Sequence, residues 1–481
     1  GSSIKDVVYN YSTLGGNLLS VPNLFTYSNL NTSNLKMSQE GYHDQSQAIF
    51  ATAQLGLKNL VFVDLTARND WVSALANTET KSIFYPSVGV SGVITDIFNI
   101  KSNVLSFLKA RLSYSEVGNA PQRFISIPSY PVIDGYPQLT TYMPAKNLEP
   151  ERTKSYEFGF NAIFWNNKVN LNATIYKSST YNQLFNPSLS PSSGYSSFFV
   201  NAGRVDNKGI EASISLNQKL GPVQWNSGIV YSLNRNEIIE LLRGYVNPVS
   251  GEIISLNRLD MGGTASCKMI LEEGGSMGDL YVSTLYVDEH GYIYVNPTSF
   301  TVSADQNTFV KAGNTNPKYV LGFRNSFSYK GFDLSFLINA RVGGIGVSVT
   351  QAIMDAFGVS EVSAKARDEG GAVVNGFRVP AQLYYQVIGG GTSGVGSMYV
   401  YDMTNVRLAE ITIGYEIPGK YLFNWVHGLN LSLVGRNLLM LYNKSPFDPE
   451  ITSNTGTYYQ GIDYFMQPSL RNVGFAVKLR F

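Results

Sequence analysis

Only one cysteine, Cys267, occurs in 481 residues. No disulfide can form within the chain, and cysteine-rich zinc centres are excluded. The three histidines, His43, His290 and His427, lie far apart, which argues against a histidine-built metal site. Charged residues make up 15%, well below the roughly 25% of ordinary soluble domains. They nearly cancel, at +1, so nothing in the charge balance points to nucleic acid or an anionic surface. Runs of about 18 apolar residues are missing too, so no transmembrane helix is expected. H-E-x-x-H and P-loop patterns are absent. The sequence therefore predicts no enzymatic activity and no cofactor.

What is present in quantity is aromatic residues, 13%, and alternation. In the closing stretch R-N-V-G-F-A-V-K-L-R-F, Phe475, Val477, Leu479 and Phe481 share one parity while Ala476, Lys478 and Arg480 share the other. Period two puts these sets on opposite faces of a strand. An outer-membrane barrel turns the apolar face to lipid and the charged face to a wet lumen. The same pattern recurs at about 46–56, 60–70, 85–94, 107–117, 153–164, 169–180, 203–217, 222–234, 317–329, 332–343, 403–416, 427–438 and 470–481. Each segment is long enough to cross a bilayer as a tilted strand. The polar parity carries full charges (Asp64, Arg68, Arg111, Glu157, Glu211, Arg324, Arg341, Arg436) that a soluble sandwich core would not accept unpaired.

Connections alternate in length. Those after 56, 94, 164, 217, 329 and 416 are short, whereas 71–84, 118–152, 181–202, 235–316, 344–402 and 439–469 are long. Short turns on one side and long loops on the other mark an outer-membrane barrel, with the long loops outside. The expected fold is therefore all-β, a transmembrane antiparallel β-barrel portion over 46–481, preceded by an extracellular loop segment over 1–45. Thirteen strands opening in an external loop cannot close an even-numbered barrel. That count predicts further strands upstream of the opening G-S-S-I-K-D-V.

Several ordered segments carry a family resemblance. They are Y-P-S-V after Ala67–Trp71, L-E-P-E-R-T-K-S-Y-E-F-G-F (148–160) and N-A-G-R-V-D-N-K-G-I-E (201–211). To these add N-P-K-Y-V-L-G-F…S-Y-K-G-F-D-L-S-F (316–336) and G-R-N-L-L-M-L-Y…D-P-E (435–450). Together the chain resembles TonB-dependent outer-membrane receptors, and most closely the SusC/RagA branch of Bacteroidetes. The resemblance implies a 22-strand barrel of which this chain holds the C-terminal strands, with the plug domain and nine strands elsewhere. It also implies a bacterial outer-membrane location, a SusD-like lipoprotein partner, the TonB complex acting through the N-terminal part, and import of an oligosaccharide, with an oligopeptide in the RagA manner as the alternative. A non-transporting adhesin barrel is the rival of a different class, and a soluble binding module a third.

Candidate substrate-binding residues are the loop aromatics Tyr195, Phe198, Tyr292, Tyr385 and Tyr399 and the lumen cations Arg68, Arg324 and Arg341. Aromatic faces beside amides suit sugar rings, and Tyr458 and Tyr459 belong to the same class of loop aromatic. Phe481, with Leu479 and Gly474, resembles the terminal signal for barrel insertion. The paired carboxylates of Glu149-Pro150-Glu151 and Asp448-Pro449-Glu450 read as turn chemistry. Glu272-Glu273-Gly274-Gly275 lacks the spacing of a calcium loop. A hairpin is expected over 279–296, with its turn at Glu289-His290-Gly291.

Overall fold

The alternating segments become fourteen strands, hydrogen-bonded in one sheet in the order of the chain. The computed structural model describes residues 1–481 apart from 128–129, 131, 134–135, 139–141, 144–147, 187–194, 247–250, 252, 391–393, 424 and 451–459. The strands are β1 Ser2–Gly15, β2 Lys36–Leu57, β3 Val61–Val72, β4 Ile83–Val93, β5 Leu105–Asn119, β6 Glu151–Phe164 and β7 Val169–Phe185. They continue with β8 Val200–Leu220, β9 Val223–Glu240, β10 Tyr319–Tyr329, β11 Phe332–Val342, β12 Asn405–Pro418, β13 Gly428–Asn443 and β14 Asn472–Arg480. Contacts group the residues into two units. One comprises Gly1–Val90, Ser113–Ser155 and Ser179–Arg204; the other comprises Ser91–Leu112, Tyr156–Ser178 and Val205–Phe481.

The count corrects the expected thirteen. Residues 1–45 are not a loop: β1 pairs with β2 from Ser2 opposite Ile49 to Gly15 opposite Lys36. With fourteen strands, an even number, parity no longer implies nine strands elsewhere. The physical reason is length. At about 3.3 Å per residue, the 22 residues of β2 extend far beyond a hydrocarbon layer of roughly 25–30 Å. Outside that layer both faces meet water, so the apolar half of the alternation disappears while backbone pairing continues. Tyr9 stacking on Tyr42 at 5.0 Å is the kind of cross-strand pair that holds such a segment.

In the second unit the register shows how side chains sort. Trp225, Phe327, Leu334, Ile413, Leu433 and Phe475 follow one another as direct cross-strand partners over six strands. The rung Val223–Tyr329–Phe332–Tyr415–Leu431–Val477 runs parallel to it. On the other face lie Gln224–Ser328–Asp333–Gly414–Ser432–Ala476 and Gly228–Arg324–Leu337–Glu410–Arg436–Asn472. The apolar rungs are not the dry interior. Phe475 is 84% exposed, and Leu334, Ile413 and Leu433 are exposed with it. Contiguous apolar surface of this extent belongs against lipid.

Turns at the short-connection end use left-handed residues that suit tight hairpins. Lys330 and Gly331 take φ of +47° and +89° between β10 and β11. A Cβ at Gly331 would stand 2.9 Å from the Glu416 carbonyl oxygen. Aromatics gather at this end: Phe423 stacks on Trp425 and Trp425 on Phe481, the latter pair 5.5 Å apart and 4° from parallel. Amphipathic rings at that level fit the membrane–water boundary.

The buried apolar core lies in the long excursions, expected to be loops but folded into a module of their own. Four strands, Arg258–Gly263, Cys267–Glu272, Asp279–Leu285 and Ala304–Asn314, form one small sheet. Three helices follow: α1 Val349–Ala356, α2 Glu361–Asp368 and α3 Ala381–Ile388. Ser348 Oγ accepts from Gln351 N at 3.0 Å and Ser360 Oγ from Ser363 N at 3.1 Å, capping α1 and α2. Cys267, Met269, Leu280, Val282, Val347, Val379, Tyr399 and Ile462 pack into one cluster with all three helices. Each fully buried aliphatic there contributes on the order of 1.5–3 kcal/mol. The expected 279–296 hairpin is realised only at its tip, where Gly291 N donates to Asp288 O and Val287 bridges Ile293. Asp279–Leu285 pairs instead with Cys267–Glu272 and Ala304–Asn314.

Candidate functional site

On the polar parity of β9, at its long-loop end, Ser232, Asn234 and Asn236 stand in a row. Together with Asn207 of β8, Ser276, Asn314, Asn316, Lys318, Tyr319 and Arg235 they line a recess of about 710 Å³. Asn207 Oδ1 accepts from Asn234 Nδ2 at 3.1 Å and from Asn236 Nδ2 at 3.0 Å. Asn236 Oδ1 accepts in turn from Met277 N at 2.7 Å and Ser276 Oγ at 3.1 Å. The buried Asp279 carboxylate takes Ser276 N at 2.8 Å and Asn314 Nδ2 at 3.0 Å, and pairs with Lys311 Nζ at 2.5 Å. The wall is thereby fixed before anything binds. Among the described residues, Arg235 and Lys318 have no carboxylate within the 4.0 Å of an ion pair. Such a recess offers oriented amides to a polar chain and free positive charge to an anionic group.

The polar parity elsewhere behaves as a solvated inner wall. Arg111 donates to Asn161 Oδ1 at 2.5 Å, Asn172 Oδ1 at 3.1 Å and Thr174 Oγ1 at 2.5 Å. Arg68 Nε is held by Asp70 Oδ1 at 2.7 Å and Tyr85 Oη at 3.0 Å. Arg436 pairs with Glu410 at 3.1 Å. Arg324 is exposed on its rung, and Arg341 Nη2 donates to Thr315 O at 2.9 Å beside the recess.

The expected aromatic candidates separate. Tyr292 is exposed at the hairpin tip, near Tyr286 and Tyr294, whose rings meet edge to face at 6.1 Å. Tyr195 is half-buried. Phe198, at 2% exposure, is buried in a short strand, Ser197–Phe198, beside Tyr142–Met143. Tyr385 is buried in α3, and Tyr399, at 3% exposure, donates its hydroxyl to Asp355 Oδ2 at 2.9 Å. Phe198, Tyr385 and Tyr399 are thus buried among packed side chains, whereas Tyr292 is open to solvent. Aromatics in a long connection serve core or binding equally well, and only their packing tells which. Tyr458 and Tyr459 lie outside the described residues. Phe481 and Leu479 are exposed, and a Cβ at Gly474 would meet nothing within 4 Å.

The paired carboxylates act as staples. Arg407, buried, binds Asp448 Oδ1 through Nη2 at 2.8 Å and faces Glu450 Oε1 at 3.2 Å. Burial pushes the Asp448 carboxyl up, but hydrogen bonds from Ser469, Glu450 N and Arg407 outweigh it and hold the group down at about 2. Glu149 accepts from Asn182 Nδ2 at 2.6 Å and Glu151 from Leu184 N at 3.0 Å. No group of three or more His, Cys, Asp or Glu able to hold a metal occurs among the described residues.

An antiparallel meander with its apolar rungs exposed and its polar rungs netted together defines an outer-membrane β-barrel domain. The chain belongs to the TonB dependent receptor-like, beta-barrel family, whose model matches residues 4–438. TonB-dependent receptor P3 of Formosa agariphila is 24% identical over 525 residues, 98% of this chain and 49% of that protein. TonB-dependent receptor P26 of the same organism is 25% identical over 474 residues, 91% of this chain and 46% of that protein. Among solved structures, the RagAB peptide importer in its open-open state matches 100% of this chain and 52% of its own. The TM-score is 0.78 at 19% identity. The chain thus spans about half the length of the relatives it matches. The family is one of receptors, and its barrels reside in the outer membrane.

Proposed function

We propose that this chain is the barrel portion of a TonB-dependent importer that takes up an oligopeptide together with a SusD-like surface lipoprotein. One observation carries the cargo class: the recess walled by Asn207, Asn234, Asn236, Asn314 and Asn316 with the unpaired cations Arg235 and Lys318. Amide donors and acceptors in alternation match a peptide backbone, and the cations match a terminal or side-chain carboxylate. The peptide importer RagAB shares the fold, which is consistent with this reading. An energised partner acting through the plug would then release cargo inward, and Arg111, Arg324 and Arg436 would line the polar path. Phe481, with Leu479 and Gly474, would serve insertion of the barrel.

An oligosaccharide is the second reading, supported by the exposed Tyr286, Tyr292 and Tyr294 of the hairpin tip. Titration of the whole receptor, with its lipoprotein, against matched peptide and oligosaccharide panels separates the two. Peptide binding weakened at least tenfold by Asn236→Ala supports the first. Sugar binding lost in Tyr292→Ala and untouched by Asn236→Ala would replace it with the second.

A further inference from the structure

A second recess, of about 430 Å³, opens between α1, α2 and α3, with Asp355, Ser363, Arg367, Gln382, Tyr385 and Gln386 on its walls. Asp355 is only 4% exposed, so its carboxylate has left water. Its two oxygens accept from neutral donors, Gln351 Nε2 at 2.8 Å on Oδ1 and Tyr399 Oη at 2.9 Å on Oδ2. Among the described residues no cationic nitrogen lies within the 4.0 Å of an ion pair from it. Arg367, the cation among the lining residues, gives its Nη1 to Gly358 O at 2.7 Å.

The position compounds the cost. Asp355 is the penultimate residue of α1, where the helix presents its carbonyl end and disfavours a negative charge. A buried carboxylate of this kind is costly to keep unless something compensates it. Around it stand tyrosines: Tyr384 and Tyr385 meet edge to face at 5.2 Å. Burial first, and then the Asp355 charge, holds the phenols of Tyr385, Tyr399 and Tyr401 above their ordinary range. Asp355 and Tyr385 line the same recess, and a carboxylate beside an aromatic ring attracts a cation.

We infer that the recess between α1, α2 and α3 binds a primary ammonium group, with Asp355 as its counter-ion and Tyr385 on its wall. The exposed Gln382 and Gln386, one turn apart on α3, offer amide oxygens at the rim to the remaining N–H donors. This site is separate from the amide-walled recess and does not depend on which oligomer the barrel carries.

The test uses the whole receptor in detergent at neutral pH, titrated with n-butylammonium chloride and with 1-butanol as the uncharged match. Saturable binding of the ammonium but not the alcohol is expected. Asp355→Asn weakens it at least tenfold without lowering Tm, since an uncompensated charge has been removed. Gln386→Lys, at an exposed rim position, places a tethered ammonium in the recess and lowers affinity to a similar degree. If Asp355→Asn does not fold, Gln386→Lys decides the matter. Equal binding of the alcohol, no binding by the unaltered receptor, or full affinity in Gln386→Lys would overturn the assignment.

Discussion

Replacing Leu433 by arginine puts the facing assignment to a quantitative trial. Leu433 lies between Ile413 and Phe475 on an apolar rung, five residues along β13 from Gly428. At about 3.3 Å per residue and a tilt of about 45°, it stands roughly 12 Å above the short-turn end. That is close to the middle of an apolar band about 25 Å tall, where an arginine facing lipid costs about 2–4 kcal/mol. Ser335→Arg provides the control. Ser335 pairs with Ser326 and Thr412 on the opposite face, at a similar height, so a wet lumen accepts its charge within about 1 kcal/mol. Both variants are compared by guanidinium unfolding of the whole receptor reconstituted in vesicles. A loss confined to Leu433→Arg is expected. Equal losses, or a larger one at Ser335, would refute the facing argument.

Three further outcomes follow from the geometry. Arg407→Ala leaves Asp448 and Glu450 without their cation and costs about 3–5 kcal/mol in unfolding measurements, far more than Arg436→Ala at an exposed pair. The Asp448 carboxyl is held at about 2, below its unfolded value. Its contribution is therefore present above the ordinary carboxylate range and disappears as pH falls toward 2. An acid titration of protection around 444–450 should lose that step in Asp448→Asn. Trp425→Ala removes the ring beneath Phe481 and costs about 1 kcal/mol beyond the lost contact area, read as slower assembly into vesicles with unchanged loop protection.

Legibility in the sequence followed the solvent. Where β10 to β14 cross lipid, one face must be apolar, and Phe332, Leu334, Phe336 and Ile338 alternate with Asp333, Ser335 and Asn339 in plain view. Where the same sheet rises into water, as in β1 and the first ten residues of β2, the constraint ends and only backbone pairing remains. The excursions hid their order differently. Helix signals were there: Ser348 and Ser360 as caps, Pro380 before α3 and Gly389 after it. Each marks a helix of only eight residues, too short for its apolar period to stand out from the surrounding loop. Tyr385 and Tyr399 were legible as aromatics but not as core, because burial in such a module is decided by partners more than 100 residues away, among them Leu280 and Val282. The amide recess was half visible, in Ser232 and Asn234 at the end of the strand expected over 222–234, with Asn236 just beyond it.

The central claim concerns which face meets lipid, and a nitroxide scan along residues 429–436 tests it most directly. Single cysteines are placed in turn in a Cys267→Ala background of the whole receptor in vesicles. Collision with oxygen, concentrated in lipid, should peak at 429, 431 and 433. Collision with a water-soluble nickel chelate should peak at 430, 432, 434 and 436. The opposite phase, or no period of two, would contradict the account.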